Sequence, residues 1–312
     1  MAVSSASARG KGGDSPFLLA NEDAYRRWRD AKLADYPHTV DRLLVEVADP
    51  LALTASERDE LVRRARKANT VLYQTSARSG TADKVLARRL GEQLGLVRMD
   101  DNLCADDDSV SALRAMPSGS RHEGYIPYTD RPLSWHTDGY YNAPPQRIRA
   151  MLLHCVADAA EGGENALLDH EIAYLRLRDA EPGYVRALMQ PDAMTIPANV
   201  EGDVEIRPAR TGPVFAVDPL SGCLHMRYTA RKRNILWKRD APTLAAVAFL
   251  ERLLAEESEY TLRCRLRPGQ GIISNNALHK RSGFRDDPQA GRSRLILRAR
   301  YYDRIRGTAC AP

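Results

Sequence analysis

His136 and Asp138 stand two residues apart in the stretch Trp135-His136-Thr137-Asp138-Gly139-Tyr140-Tyr141. Successive side chains of a β-strand point to opposite faces, so residues at i and i+2 share one. One extended strand here presents an imidazole and a carboxylate side by side. A metal site needs a third ligand, and His279, in Asn275-Asn276-Ala277-Leu278-His279, is the best candidate. Two histidines and one carboxylate leave one side of a metal open, the arrangement of non-haem Fe(II) oxygenases. The same set can hold zinc with an activated water, so a zinc-dependent hydrolase is a rival reading. A His-x-acid pair alone is weak, because roughly one is expected by chance in such a chain. The surrounding elements must add support.

The strongest support is near the end of the chain. Residues 294–302 read as a strand with Leu295, Leu297, Ala299 and Tyr301 on one face and Arg294, Ile296, Arg298 and Arg300 on the other. If the second face looks into a barrel, its guanidinium groups require anionic partners, and a guanidinium fork fits a carboxylate in a bidentate way. A solvent-exposed basic face is the bland alternative. A non-catalytic anion-binding barrel would keep the arginines and discard the metal.

The elements that would position these groups are mostly short strands. Residues 40–47, 71–74, 148–156, 166–168, 204–217, 224–228, 260–266 and 272–274 read as strands. The 148–156 run is apolar at nearly every position, as in a strand covered on both faces; His154 within it reads as a core histidine. Helices are expected over 21–33, 54–69 with a capping box at Thr54 and Glu57, 83–94, 169–178 and 240–257. Turns fall at Gly162-Gly163-Glu164-Asn165 and at Pro268-Gly269-Gln270-Gly271. Residues 116–131, rich in Pro and Gly, could be a substrate lid. The acidic run 106–108 and the basic run Arg231-Lys232-Arg233 read as solvated loops. So many short strands, without regular strand–helix alternation, indicate a mainly β domain with flanking helices and exclude a parallel doubly wound sheet.

Composition bounds the rest. The net charge of +5 allows an anionic substrate but is too mild to argue for nucleic acid. Residues 1–16, rich in Ser, Ala and Gly, read as a disordered tail without the apolar core of a signal peptide. Residues 17–312 read as one domain with a late helical insert around 240–257. No stretch is long enough to span a membrane. The five cysteines are scattered and form no Cys-x-x-Cys pair, which favours reduced thiols in a cytoplasmic protein.

From about residue 134 to 298 the sequence resembles the taurine dioxygenase family of Fe(II)- and 2-oxoglutarate-dependent oxygenases. Four pieces in order carry the resemblance: His136-Thr137-Asp138, the Gly162-Gly163-Glu164-Asn165 turn, His279, and the Arg294/Arg298 strand. The resemblance implies a double-stranded β-helix (jelly-roll, cupin-like) core. It implies that His136, Asp138 and His279 hold Fe(II), and that 2-oxoglutarate and O2 are co-substrates. Arg294 matches the arginine that pairs with the distal carboxylate of 2-oxoglutarate, with Arg292 as a fallback. Asn165 occupies the place where the family usually has Thr or Ser, and its amide N–H can also donate to that carboxylate. Arg298 matches a position that in several members binds an acidic group of the substrate; Tyr125 and Tyr140 are candidate pocket walls. The implied reaction hydroxylates an unactivated C–H of a small anionic or zwitterionic metabolite, with succinate and CO2 as co-products. No nucleic-acid or membrane partner is expected. The family is often oligomeric, so a homo-oligomer is possible.

Overall fold

The computed structural model describes residues 15–76, 81–101, 109–116, 125–219, 221–256 and 258–310. Most of the expected tail, the 106–108 run, Cys104 and residues 117–124 of the suggested lid lie outside them.

The doubly covered strand is Ala150–Ala157. It lies inside a six-stranded sheet in the order Leu44–Glu46, Thr70–Gln74, Gln270–Ser274, Ala150–Ala157, Leu295–Tyr301, Ser111–Leu113. Only the first pair is parallel. Its side chains alternate between two cores. Ala150 and Leu152 pack with Leu61 and Ala65 of helix Ala55–Ala68 and with Ala87 and Leu90 of helix Thr81–Gln93. Met151, Leu153 and Cys155 join the other core with Ala166, Leu167, Leu262 and Leu278 of a second sheet. That sheet is antiparallel, in the order Leu262–Cys264, Asn165–Leu168, Leu278–Arg281, Leu133–His136.

Helix termini follow the local chemistry of the sequence. Thr54 and Glu57 form the expected reciprocal capping box. Asp169 and Asp240 accept backbone N–H groups at the starts of helices His170–Ala180 and Ala241–Ala255. These two helices and Pro182–Leu188 pack together and add Leu177, Leu188 and Leu250 to the inner core. The molecule is thus mainly β with several helices.

Four expectations are corrected. The stretch 204–217 is not one strand but three, Val204–Arg207, Arg210–Gly212 and Phe215–Val217. Pro208 and Pro213, which lack a backbone N–H, interrupt it. Val40–Leu43 is a 3-10 turn leading into Leu44–Glu46. The 260–266 strand is confined to Leu262–Cys264. The cysteines are not all reduced: Cys223 and Cys310, which are 87 residues apart, form a disulfide with a Cα separation of 5.1 Å. Cysteine spacing in sequence does not reveal such a long-range approach. Cys155 and Cys264 are free. Among the described residues no helix is long and apolar enough to cross a membrane.

Candidate active site

The inner sheet makes the site by register. Strands Leu133–His136 and Leu278–Arg281 are antiparallel neighbours with His136 opposite His279. Their ring centroids are 4.2 Å apart. The Nδ1 of His136 lies 2.9 Å from Ser134 O and that of His279 lies 3.0 Å from Ala277 O. A carbonyl can only accept, so each Nδ1 carries a hydrogen and each Nε2 is the ring nitrogen left for the site.

Asp138 reaches the same point differently from the sequence expectation. The strand ends at His136, and Thr137 and Asp138 turn away, with Gly139 at φ +63°. Asn276 holds the turn. Its Oδ1 accepts the Asp138 N–H at 2.7 Å, and its Nδ2 donates to the carbonyls of Asp138 and Ile148, both at 2.9 Å. One donor atom from each of His136, Asp138 and His279 lies within 4.8 Å of the others, and all three residues are buried.

The electrostatics suit a divalent metal. Burial would raise the Asp138 carboxyl, but Arg298, the His136 ring, His279 and Arg300 together hold it well below the usual carboxylate range. Burial, helped by His136, lowers the His279 imidazole to about 4, so it is neutral and able to ligate at neutral pH. Asp138 Oδ2 is buried without a hydrogen-bond partner. Two imidazoles presenting Nε2, an ionised carboxylate and an orphaned carboxylate oxygen are a donor set that fits iron.

A second orphaned polar atom belongs to Arg294. Arg294 is buried, and its Nη1 has no partner. Burial lowers this guanidinium to about 10. Its recess is shared with Gly163 and Asn165. The turn itself requires glycine: Gly162 and Gly163 adopt φ +69° and +72°, and a Cβ on Gly162 would sit 2.2 Å from Gly283 O. An anion accepted by Arg294 would satisfy the free Nη1. Arg292 is half-exposed, bound to Asp158 at 3.3 Å, and is not among the residues lining that recess.

Arg298 also turns inward. It is buried, with Nη1 at 3.6 Å from Asp138 Oδ1. It lies on a cleft of about 790 Å³ that also reaches His136, Asp138, Tyr125 and Tyr140. Tyr140 accepts a hydrogen bond from Asn234 at 3.0 Å. Arg281 instead donates to the carbonyls of Thr129 and Arg131 and anchors the entry to the His136 strand. His154 is bound to the Tyr73 hydroxyl at 2.9 Å, away from the cleft.

Three features were not assigned from sequence. Asn276 has no motif, because its role depends on a left-handed φ of +55° and a distant turn. Arg300 shares the Arg298 face, and that alternation was a usable signal. It pairs with Asp100 and donates to Tyr141 Oη at 3.0 Å, while Tyr302 donates to Asp100 at 2.6 Å. Arg231 and Arg233, read as a solvated loop, line the cleft with Arg207 and Arg210.

A mainly β scaffold carrying two histidines and a carboxylate at an open cleft defines the class of non-haem iron oxygenases. Residues 35–300 match the family described as taurine catabolism dioxygenase TauD, TfdA family, and the chain belongs to that family. It is an enzyme, an iron- and 2-oxoglutarate-dependent dioxygenase. The chain is similar to a uridine-5'-phosphate dioxygenase of Streptomyces sp, 28% identical over 199 residues, spanning 62% of this chain and 69% of that protein. Its fold resembles an asparagine oxygenase solved with Fe(II), hydroxyasparagine and succinate (TM-score 0.57, 15% identity, 92% of this chain and 91% of that one). It also resembles the non-haem iron oxygenase OrfP solved with Fe, succinate and (3S)-hydroxy-L-Arg (TM-score 0.59, 16% identity, 94% and 92%). The PvcB protein from Pseudomonas aeruginosa is a further neighbour (TM-score 0.55, 17% identity, 83% and 85%).

Proposed function

We propose that residues 17–312 act as one catalytic domain on a double-stranded β-helix core, in which His136, Asp138 and His279 hold Fe(II). The observation that carries this is the convergence of three ligand atoms within 4.8 Å, one of them an orphaned buried carboxylate. Bound iron supplies the oxidising chemistry: 2-oxoglutarate, O2 and a substrate C–H become succinate, CO2 and C–OH. Arg294 takes the distal carboxylate of 2-oxoglutarate, assisted by the Asn165 amide. Arg298 and Arg300 set a positive field beside Asp138 and favour an anionic or zwitterionic substrate, with Tyr125 and Tyr140 excluding water from it. The names of the relatives fit that class: one acts on a nucleotide, and two neighbours are solved with hydroxylated amino acids.

The test is anaerobic titration of metal-stripped protein with Fe(II) and then 2-oxoglutarate, followed by visible absorption. A weak charge-transfer band that needs both, and is lost in His279→Ala, is the expected result. No band, with tightly retained zinc instead, would sink the assignment and favour a hydrolase.

A further inference from the structure

Arg207, Arg210, Arg231 and Arg233 line the same cleft as His136 and Asp138, and the chemistry described so far uses none of them. Two structural routes bring them there. Residues 228–230 run beside the His136 strand: Thr137 N–H bonds to Tyr228 O at 3.0 Å, and Ala230 N–H bonds to Trp135 O at 2.7 Å. This pairing delivers the 231–233 run to the cleft, where Asn234 is tied to Tyr140. Arg207 and Arg210 come from the ends of two short strands broken by Pro208. Arg207 donates to the carbonyls of Pro208 and Pro197 at 2.9 and 2.7 Å and lies over the Tyr141 ring.

Among the described residues the charges of the cleft do not balance. The acids lining the cleft among the described residues are Asp100, Asp101 and Asp138. Asp100 is taken by Arg300 and Asp138 faces Arg298; Asp101 accepts from Ser109. Among the described residues none of the four arginines has a carboxylate partner. Arg210 Nε is buried without any partner. Burial lowers the Arg207 guanidinium; Tyr140 and Tyr141 oppose this, and Arg210 adds to it. Like charges held together in a cleft cost free energy that a multiply charged anion would offset.

Resting on the oxygenase reading, we infer that these four arginines form a collar for the phosphate of a phosphomonoester substrate whose oxidised carbon sits at the iron. One carboxylate needs one guanidinium fork. A phosphomonoester dianion offers three terminal oxygens and accommodates several forks. The cleft volume of about 790 Å³ exceeds what a free amino acid requires and suits a molecule of nucleotide size. Tyr125 and Tyr140 supply apolar faces for the part between the phosphate and the iron.

The experiment is calorimetric titration of the full chain, loaded anaerobically with Fe(II) and 2-oxoglutarate, with nucleosides and their 5′-monophosphates. The co-substrate occupies Arg294, so that arginine cannot supply the phosphate site. At least one monophosphate should bind about tenfold or more tightly than its nucleoside, with inorganic phosphate competing. Arg231→Gln with Arg233→Gln, on an exposed turn, should erase most of that advantage while nucleoside binding persists; Arg210→Gln should do the same. Equal binding of nucleoside and monophosphate throughout, or an advantage that survives both variants, overturns the collar. The visible band in the same samples reports on the iron site separately. Phosphate binding without a band rejects the oxygenase assignment, and a band without phosphate binding rejects the collar.

Discussion

At the scale of single residues, the site depends on groups that never touch a ligand. Asn276 binds both the N–H and the carbonyl of Asp138, so it fixes where the carboxylate points. Outer partners of metal ligands are commonly worth roughly 10–100-fold in metal affinity. Asn276→Ala should therefore weaken Fe(II) binding by about that factor, read by equilibrium dialysis. The fold should survive, since circular dichroism follows sheets that Asn276 does not build. Unchanged affinity would mean that the turn holds itself. Arg294→Ala should leave metal binding intact and raise the 2-oxoglutarate concentration for half-formation of the visible band by about tenfold or more, since a charge-assisted bidentate contact is lost. Equal loss of metal and co-substrate binding would instead make Arg294 structural. Of these residues, His136, Asp138, His279 and Arg294 are legible in the sequence because residue type and spacing mark them. Asn276 is not, because an asparagine gains its role only when a distant turn comes to rest against it.

At the scale of elements, a continuous apolar run in one long strand and side-chain alternation in the other made them readable, and proline breaks hid the short ones. Ala150–Ala157 and Leu295–Tyr301 carry their burial pattern in the chain itself. The segment 204–217 does not, because backbone donors missing at Pro208 and Pro213 outweigh its β-branched residues. The 231–233 run looked like solvent-facing charge, and only pairing of 228–230 with the His136 strand brings it to the cleft. Gly271 is another element-level constraint. It sits in the strand Gln270–Ser274, beneath the Tyr73 ring, which stacks on His154 at an interplanar angle of 6°. A Cβ there would overlap both Tyr73 and the Leu153 carbonyl. Gly271→Ala should cost roughly 1–3 kcal/mol in urea denaturation. Gly222→Ala, with open space but φ +68°, reports backbone strain alone and should cost less. Equal costs would show that Tyr73 moves aside freely.

At the scale of the whole molecule, buried ionisable groups set how stability responds to acid, and they do so in two separate windows. Lys32 is buried against Asp169 and Glu171, at 2.7 and 2.6 Å. Burial would raise the Asp169 carboxyl, but Lys32, His170 and Asn69 hold it below its usual range. Its contribution is present above the unfolded value and is lost only in strong acid. The buried histidines act earlier. Burial lowers His154 to about 4, although Asp83 lies 3.7 Å from its Nε2 and the Tyr73 hydroxyl lies 2.9 Å from its Nδ1. Between pH 6.5 and about 4, the unfolded chain holds a proton on this ring that the folded chain does not. Stability therefore falls as pH drops through that window, by about 1.4 kcal/mol per pH unit for each such proton. His154→Gln keeps an acceptor for Tyr73 and removes the titration. Urea unfolding at a series of pH values should show a shallower slope in this variant between pH 6.5 and about 4, and the same slope as the parent below that range. Parallel curves across the whole range would mean that Asp83 keeps His154 protonated in the folded state and that the ion pair outweighs burial.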